Sequence, residues 1–390
     1  MANTANIKIV RVLLGLLIPT SAIKTHVTMA QDFSGAATTV EIEEKAASHT
    51  YLMEAAASIN TLQSFYTPSS GLYQTTAWWN SANAITVVAN FSKISGSKLY
   101  LPVLQNTYMQ AQKLYYGFLN HFYDDEGWWA LAWIDAYEVT NDLQYLSVAQ
   151  SIFEDMAAGW DSATCGGGIW WNKDRKYKNA IANELFLSVA TQLANHMADP
   201  AQKIHYLTWA QMEWQWFSQS GMINQNHLIN DGLNSSDPSH CVNNGQAVWS
   251  YNQGVILGGL VQLSKADPTN TTLLPAAKQI ADAALLHLTD ASGVLHDQGE
   301  ANGGPTGGGV QFKGIFVRNL INLDEVIPQP SYSSFFMINA DSIWSKARGA
   351  NDQFGQVWSG PYSGASAGTQ SSALDALIAA AQLVSPQHTP

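Results

Sequence analysis

The segment FYDDEGWWALAWIDAYEVTND, residues 122–142, carries the pattern that decides the fold of this chain. Apolar and aromatic residues recur with helical spacing after Gly127, so the segment predicts a helix over residues 127–140. Two adjacent carboxylates, Asp124 and Asp125, and a tryptophan pair stand where that helix begins. Polar and aromatic side chains thus gather at one helix end.

The same arrangement recurs along the chain, in WWNSAN (78–83), YKNAIANE (177–184), YNQG (251–254), FKGIFVRN (312–319) and TQSS (369–372). Apolar periodicity predicts about twelve helices, at 45–66, 77–95, 103–121, 127–140, 142–158, 174–197, 201–219, 247–265, 271–289, 311–325, 333–348 and 367–384. A polar-aromatic stretch opens every second one. Six repeats of an outer helix followed by an inner one predict an all-α (α/α)6 barrel, built of six helical hairpins in two concentric rings. All six inner helices would then begin at the same end.

The composition favours a globular protein that binds uncharged polar ligands. Hydrophobic residues make up 46% of the 390 residues and charged residues only 12%, while 14 Trp and 15 Tyr are present. Flat rings and uncharged polar groups suit sugars, which stack their C–H faces on rings and hydrogen-bond through hydroxyls. With 18 Lys and Arg against 30 Asp and Glu, and no basic cluster, we expect no nucleic-acid partner.

The first 30 residues have the pattern of a secretory leader. Lys8 and Arg11 precede an apolar run and small residues, so cleavage after Ala22 or Ala30 is predicted. Residues 31–390 would then form a single domain. The C-terminus ends in polar residues and lacks the hydrophobic tail of a lipid-anchor signal. We therefore expect a secreted, extracellular monomer without a stable membrane anchor.

Two further features fit a secretory route. Asn-x-Ser/Thr acceptors for glycans occur at Asn90, Asn234 and Asn270. The two cysteines, Cys165 and Cys241, predict one disulfide in an oxidising compartment, with two buried free thiols as the alternative. Two cysteines without a histidine cluster make a poor zinc site, so no structural metal is expected.

The aspartate pair has two interpretations. Neighbouring Cα atoms are about 3.8 Å apart, so two carboxyls in a turn entering a helix can lie about 5 Å apart, as a retaining glycosidase requires. At that distance both cannot readily stay ionised, which leaves one carboxylate and one proton donor. Alternatively, Asp124 or Asp125 simply caps the helix. Asp135, about three helical turns after Asp124, could lie on the same face as a third acid or as a support.

Four segments carry a resemblance to a known family. YDDEGWWALAWIDAY, CGGGIWWNKDRKYKNAIANELFLSVA, YNQGVILGGL and FKGIFVRNL resemble the signature segments of glycoside hydrolase family 76, the fungal and bacterial endo-α-1,6-mannanases, and the similarity extends from about residue 45 to 384. The resemblance implies an (α/α)6 barrel and retaining cleavage of internal α-1,6-mannosidic bonds of mannan. It also implies Asp124 as nucleophile and Asp125 as general acid/base, without a cofactor.

Further residues are predicted to contact the sugar. Tryptophans would stack on mannose rings, and amide or charged side chains would bind hydroxyls. The predicted set is Trp78, Trp79, Asn80, Trp128, Trp129, Trp171, Asn183, Glu184, Asn252, Gln253, Lys313 and Arg318.

Two other functions remain open at this level. The resemblance includes fungal wall-assembly enzymes, so a glycan transglycosylase is one alternative. A mannan-binding protein that has kept the cleft without turnover is the other. A retaining intermediate can pass its sugar to water or to another sugar, so the residues alone do not separate hydrolysis from transfer.

Overall fold

The computed structural model describes residues 50–385, and twelve α-helices account for most of them. Helix α1 covers residues 50–64, and α2 to α12 cover Trp78–Ser95, Leu101–Ala111, Tyr123–Thr140, Leu143–Ala157, Ala180–His196, Pro200–Phe217, Ser250–Ala266, Leu273–Leu288, Phe312–Asp324, Pro330–Lys346 and Ala367–Leu383. Two antiparallel pairs of short strands join Tyr66–Thr67 (β1) to Leu72–Tyr73 (β2) and Leu233–Asn234 (β3) to Val242–Asn243 (β4). The predicted leader, residues 1–30, lies outside the described residues.

Twelve helices were predicted, and the largest differences lie at three boundaries. The helix predicted over 103–121 ends at Ala111, and the chain then turns through Gly117, which has a φ of 66°. Helix α4 begins at Tyr123 rather than at residue 127, because three acidic residues in its first turn favour a helix N-terminus. Helix α6 begins at Ala180 instead of residue 174, since the preceding residues pair with loop backbone, as when the Trp171 N–H donates to the Tyr177 carbonyl.

The even-numbered helices form a closed inner ring. Helix α2 packs against α4, and contacts continue through α6, α8, α10 and α12 back to α2. The odd-numbered helices pack outside this ring, for example α5 against α4 and α7 against α6. Helix α1 joins the outer layer, where the Tyr51 hydroxyl donates to Asp341 of α11 at 2.9 Å. The predicted (α/α)6 barrel is confirmed.

The inner helices all run in the same direction, because residues near their C-terminal ends line one shared cavity. It has a volume of about 540 Å³, and the second halves of all six inner helices line it. Its lining includes Lys93 of α2, Glu138 of α4, Gln192 of α6 and Gln262 of α8. The C-terminal ends of these helices therefore share one end of the barrel, and their N-terminal ends share the other.

Amide side chains at the starts of inner helices hold the loops before them. Asn183 Oδ1 accepts the Ile169 N–H at 2.7 Å, and Asn183 Nδ2 donates to the Ile169 carbonyl at 3.1 Å. Gln253 does the same to Ile229, at 2.8 and 2.9 Å. Gln370 accepts the N–H of Phe354 at 3.0 Å. The recurring polar residues at inner-helix starts thus partly serve the backbone.

This role corrects two predicted sugar contacts. Asn183 and Gln253 were expected to bind hydroxyls, because buried amides beside rings had no evident partner in the sequence. Both side chains are fully buried, and their oxygen and nitrogen atoms bond to loop backbone. Neither amide is left to contact substrate.

The predicted disulfide is confirmed. Cys165 and Cys241 are bonded, with their Cα atoms 5.2 Å apart. The bond joins the loop before α6 to the loop before α8, and Trp216 of α7 donates its indole N–H to the Cys165 carbonyl at 2.8 Å. Two neighbouring loops at the N-terminal end of the inner ring are thereby held together.

The three predicted glycan acceptors differ in their surroundings. Asn234 is exposed in β3, and Asn270 is half-buried, with its side-chain oxygen accepting the Thr272 N–H at 3.2 Å. Asn90 is half-buried within α2 and lines the 540 Å³ cavity. A glycan on Asn90 would have to occupy that cavity, so the structure argues against this site, whereas Asn234 and Asn270 stay predictions.

Replacing Gln253 tests the loop-holding role. The substitution Gln253→Leu leaves the N–H and the carbonyl of buried Ile229 without partners, each costing about 1–3 kcal/mol. We expect the free energy of unfolding to fall by about 2–4 kcal/mol, measured by urea denaturation. Gln215→Leu, at an exposed position of α7, is the control and should change it by no more than about 0.5 kcal/mol. Equal losses in the two variants would contradict the role.

Candidate active site

The aspartate pair lies in the first turn of α4, at the N-terminal end of the inner ring. Asp124 and Asp125 are half-buried, and Phe122 occupies the N-cap position without a side-chain cap hydrogen bond. The simple capping interpretation is therefore wrong, and the two aspartates lie inside the helix rather than in a turn before it. Their carboxyls sit at the positive end of the helix dipole, which stabilises the ionised form.

Each carboxyl accepts one hydrogen bond from a neutral donor. The Trp171 indole N–H donates to Asp124 Oδ2 at 3.0 Å, and Asn120 Nδ2 donates to Asp125 Oδ2 at 2.6 Å. Asp124 Oδ1 is buried and has no hydrogen-bond partner among the described residues. Each carboxyl is thus oriented on one side, and Asp124 keeps one oxygen without a hydrogen-bond partner.

The surroundings raise the pKa of both carboxyls. Burial is the main cause for each, and the charge of Asp125 adds to the effect on Asp124. The hydrogen bonds from Trp171 and Asn120 act in the opposite direction, because they stabilise the ionised forms. The two groups titrate as a pair, so a form with one proton and one negative charge persists above the pH range of exposed aspartates.

Trp171 is held as a donor by backbone bonds on both sides. Its carbonyl accepts the Tyr123 N–H at 3.0 Å, and its own N–H donates to the Tyr177 carbonyl at 2.8 Å. Its ring lies 5.1 Å from that of Phe122. We predicted sugar stacking for Trp171, and the structure gives it a direct contact with Asp124.

Sequence reasoning missed Asn120 and a charged cluster of Glu126, Lys173 and Asp155 behind the aspartates. Asn120 could have been found, because its Oδ1 accepts the Phe122 N–H at 2.8 Å, and asparagine in such a turn before a helix is a known signal. Glu126 is fully buried and accepts from Lys173 at 2.9 Å, and Lys173 also contacts Asp155 at 2.8 Å. No local sequence pattern predicts the contacts of Lys173 with Glu126 and Asp155, because the three residues come from three different segments.

Four rings form an aromatic layer across the inner ring beside the aspartates: Trp79, Trp128, Tyr251 and Phe312. Each ring stacks on the next, with centroids 5.6 Å apart for Trp79 and Trp128, 6.4 Å for Trp128 and Tyr251, 3.8 Å for Tyr251 and Phe312, and 6.3 Å for Phe312 and Trp79. Trp79 is half-buried, whereas the other three are at most 9% exposed. Trp79 is therefore the ring of this layer with most surface left for a ligand.

Two predicted polar residues near this layer have unused hydrogen-bonding atoms. Glu184 and Asn252 are fully buried, and both polar atoms of each side chain lack a hydrogen-bond partner among the described residues. Burial and the charges of Asp231 and Asp124 raise the pKa of Tyr251, and Glu184 adds to this, so these groups surround one ring. Burial also raises the pKa of Glu184 well above its ordinary value, which makes it a neutral donor.

Two predicted stacking residues belong to the protein core instead. Trp78 packs against Trp129, with centroids 4.8 Å apart, and against Tyr115 at 4.9 Å. Trp129 is fully buried and also contacts Phe118 and Trp133, at 5.0 and 5.6 Å. Residues 78–79 and 128–129 are adjacent pairs, so one ring of each pair faces the layer while the other packs outward.

Three residues predicted to bind sugar hydroxyls, Asn80, Lys313 and Arg318, bond to other residues of the protein instead. Asn80 is fully buried and donates to the Gly308 carbonyl at 3.0 Å. Lys313, 2% exposed, pairs with Glu300 and donates to the Gln356 carbonyl at 2.8 Å.

Arg318 is the third, and it pairs with Asp375 at 3.3 Å and bonds to Asn83. Arg318 lines the 540 Å³ cavity, as does Asp135, so neither faces the aspartate pair from the N-terminal end. Burial raises the pKa of Asp135 to about 7, partly offset by Arg318 and Lys93. Asp135 is therefore not a third acid beside Asp124.

Within residues 50–385, no group of three or more His, Cys, Asp and Glu side chains is placed to hold a metal ion. In the same range, no helix combines the length and the hydropathy needed to cross a bilayer.

Comparisons with known proteins show the family of the chain. The model of glycosyl hydrolase family 76 matches residues 45–389. Mannan endo-1,6-alpha-mannosidase DCW1 of Saccharomyces cerevisiae is 26% identical over 283 residues, which cover 65% of this chain and 59% of that protein. DCW1 of Candida albicans is 32% identical over 153 residues, covering 36% of this chain and 32% of that protein. The matched part thus spans less than two thirds of these curated relatives.

Solved structures share the barrel. The GH76A alpha-1,6-mannanase of Salegentibacter sp. HEL1_6 superposes with a TM-score of 0.76 at 25% identity, covering 85% of this chain and 99% of that one. An inactive variant of it, with two consecutive aspartates replaced by asparagine, was solved with alpha-1,6-mannotriose. Dfg5 of Chaetomium thermophilum, solved with glucosamine, has a TM-score of 0.75 at 20% identity and covers 85% and 90%. Because the family model spans nearly all of the barrel, the chain belongs to glycosyl hydrolase family 76.

Proposed function

We propose that this protein is a retaining endo-α-1,6-mannanase in which Asp124 is the nucleophile and Asp125 the general acid/base. The observation that carries the proposal is the pair of adjacent, half-buried carboxyls at the start of α4, each with one neutral donor and a raised pKa. Related mannanases support the substrate, and the inactive double aspartate variant solved with mannotriose supports the role of such a pair.

The reaction would proceed in two displacements. The Asp124 carboxylate attacks the anomeric carbon and forms a covalent ester, while Asp125 gives its proton to the leaving O6 as the C1–O6 bond breaks. Asp125, now ionised, takes a proton from water, whose oxygen attacks the same carbon and releases Asp124 as a carboxylate. Two inversions give a product that keeps the α configuration.

The proton must move within the pair when substrate binds. Burial and the charge of Asp125 raise the pKa of Asp124 above that of Asp125, so in the empty site the proton favours Asp124. The reaction needs it on Asp125. A glycosidic oxygen beside Asp125 accepts a hydrogen bond from the protonated carboxyl, so bound substrate favours the proton on Asp125. In the transition state, the positive charge that develops at the anomeric carbon stabilises the ionised Asp124. Trp171 supports this direction by donating to Asp124.

Only a few of the residues predicted to contact the sugar have ring surface or polar atoms that are free to bind a substrate. Trp79, half-buried at the edge of the aromatic layer, offers a ring for stacking. Glu184 and Asn252 have unpartnered atoms for hydroxyls. A buried polar group without a partner is costly, so a sugar that satisfies these atoms gains affinity from them.

We also propose that the protein is secreted as a monomer after removal of residues 1–30. The leader pattern and the disulfide between Cys165 and Cys241 support an oxidising route. Exposed Asn234 and half-buried Asn270 are the acceptor sites that the fold leaves accessible to a glycan.

Replacing either aspartate tests the proposal. Asp124→Asn and Asp125→Asn should each lower kcat/KM on linear α-1,6-mannan by at least about 10³-fold. The first removes the nucleophile, and the second removes the group that transfers the proton. The measurement is oligosaccharide release, with proton NMR of the first anomer formed. Asp199→Asn, which keeps a capping residue at the exposed start of α7, is the control and should retain full activity. A β product, or full activity in either variant, would contradict the mechanism.

The two roles can be separated with a leaving group that needs no protonation. On an aryl mannoside with an acidic phenol, Asp125→Ala should still form the covalent ester rapidly, whereas Asp124→Ala should not. Burst kinetics of phenol release measure this step. A burst in Asp124→Ala but not in Asp125→Ala would instead make Asp125 the nucleophile and Asp124 the general acid/base.

The pH profile follows from the raised pKa values. Activity needs one proton on the pair, so it should fall at low pH, where both carboxyls become protonated, and at high pH, where both become ionised. Both limbs should lie above about 3.9, the ordinary aspartate value. Trp171→Phe removes a donor that lowers the pKa of Asp124, so it should move the acidic limb of kcat to higher pH. An unchanged limb would show that Trp171 does not tune Asp124.

A further inference from the structure

A second cavity, the lower cavity, lies at the C-terminal ends of the inner helices, opposite the aspartate pair. It is the cavity of about 540 Å³ described above, a volume within the range of small-molecule sites. Lys93 and Lys265 line it and are exposed, so the cavity opens to solvent. All six inner helices contribute to its wall.

The aromatic layer separates the lower cavity from the candidate active site. Trp128 belongs to that layer and also lines the lower cavity. The Arg318 guanidinium lies 5.9 Å from the centre of the Trp128 ring and lines the cavity as well. A ligand in the lower cavity would therefore meet Trp128 and Arg318 and not Asp124 or Asp125.

Two pairs of opposite charge lie in the wall of the lower cavity. Lys93 lies 2.8 Å from Glu138, and Arg318 lies 3.3 Å from Asp375. Lys265 is a third cation in the wall, and the wall also contains the acids Asp135 and Glu325. The lining therefore carries no excess of positive charge that would select an anion such as phosphate. The cavity therefore favours a ligand without net charge.

The remaining lining suits hydroxyl groups. Amide side chains of Asn90, Gln192 and Asn322 line the cavity and supply both donors and acceptors. Asp375 also belongs to the lining of the cavity. Its Oδ1 atom is buried and has no hydrogen-bond partner among the described residues. Such an atom calls for a donor, since leaving it unpaired costs free energy.

Apolar side chains complete the wall. Ile94, Leu131, Ile321 and Ile378 line the cavity between the polar groups. Carbohydrates combine C–H faces with hydroxyls that both donate and accept, which matches apolar walls alternating with amides and a free carboxylate oxygen.

We infer that the lower cavity is a second, non-catalytic site for a small neutral polyol, of one or two sugar units. The inference goes beyond the proposed function, because binding in the lower cavity requires no turnover and no contact with the aspartates. Its ligand class rests on the paired charges, the amides and the unpartnered Asp375 oxygen.

The isoleucines of the wall provide the test. Protein with labelled isoleucine methyl groups is titrated with mannose and with α-1,6-mannobiose, in the wild type and in the double variant Asp124→Asn/Asp125→Asn. We expect the methyl signals of Ile94, Ile321 and Ile378 to shift with saturation in both proteins, while the proposed catalytic reaction is blocked in the variant. Inorganic phosphate and calcium chloride, added separately, should leave these signals in place.

Two cavity variants serve as matched controls. Asn322→Trp fills the cavity and should abolish the shifts, with a thermal unfolding scan confirming that the variant folds. Gln192→Leu should weaken sugar binding by roughly threefold to tenfold, the loss of one hydrogen bond. Absence of shifts at millimolar sugar, shifts that survive in Asn322→Trp, or shifts produced by phosphate or calcium alone would overturn the inference. If the wild type shows these shifts but does not hydrolyse mannan, that result would instead count against the proposed function.

Discussion

The structure depends on one electrostatic constraint: two adjacent carboxyls are placed where burial and mutual repulsion oppose the ionisation of both. Asp124 and Asp125 occupy the first turn of α4, where the helix dipole favours negative charge, while burial favours the proton. The balance gives a pair with one proton and one charge. Such a pair is the chemical requirement of retaining glycoside cleavage.

The surrounding residues maintain that balance. Trp171 and Asn120 each give one hydrogen bond to the pair, and both lie on loops rather than on α4. The position of the Trp171 loop depends on backbone bonds to Tyr123 and Tyr177. Behind it, Lys173 joins the fully buried Glu126 to Asp155. The chemistry of the pair therefore depends on loop positions that the barrel fixes.

The parallel inner helices give the barrel two different ends. The N-terminal end carries the aspartates and the aromatic layer, whereas the C-terminal end opens into the lower cavity. Trp128 contributes to both regions, and Arg318 lies against its ring. The same architecture thus gives the barrel two ends of different character, only one of which contains the adjacent carboxyls.

The sequence predicts the barrel well because helical periodicity and repeat are properties of neighbouring residues. Four of the six inner helices, α2, α4, α8 and α10, do begin with polar and aromatic residues, and the aspartates lie at one of these starts. What a single sequence does not reveal is the partner of each polar group. Asn183 and Gln253 resemble sugar ligands in the sequence, yet they bond to the backbone of Ile169 and Ile229.

The same limit applies to the tryptophans and to Arg318. In each Trp-Trp pair, adjacent residues point about 100° apart on a helix, and only the neighbouring elements decide which ring faces the layer. Trp78 and Trp129 pack outward, while Trp79 and Trp128 stack together. Arg318 lies five residues after Lys313, about 7.5 Å further along α10, and it lines the lower cavity, whereas Lys313 bonds to Glu300 and Gln356.

Trapping the covalent intermediate tests the central claim most directly. The protein would be treated with a 5-fluoro-α-mannosyl fluoride, which forms the ester faster than it is hydrolysed, then digested and analysed by tandem mass spectrometry. We predict one mannosyl adduct, on the Asp124 carboxyl, and none in Asp124→Asn. An adduct on Asp125, or inactivation of the protein without any adduct, would contradict Asp124 as the nucleophile.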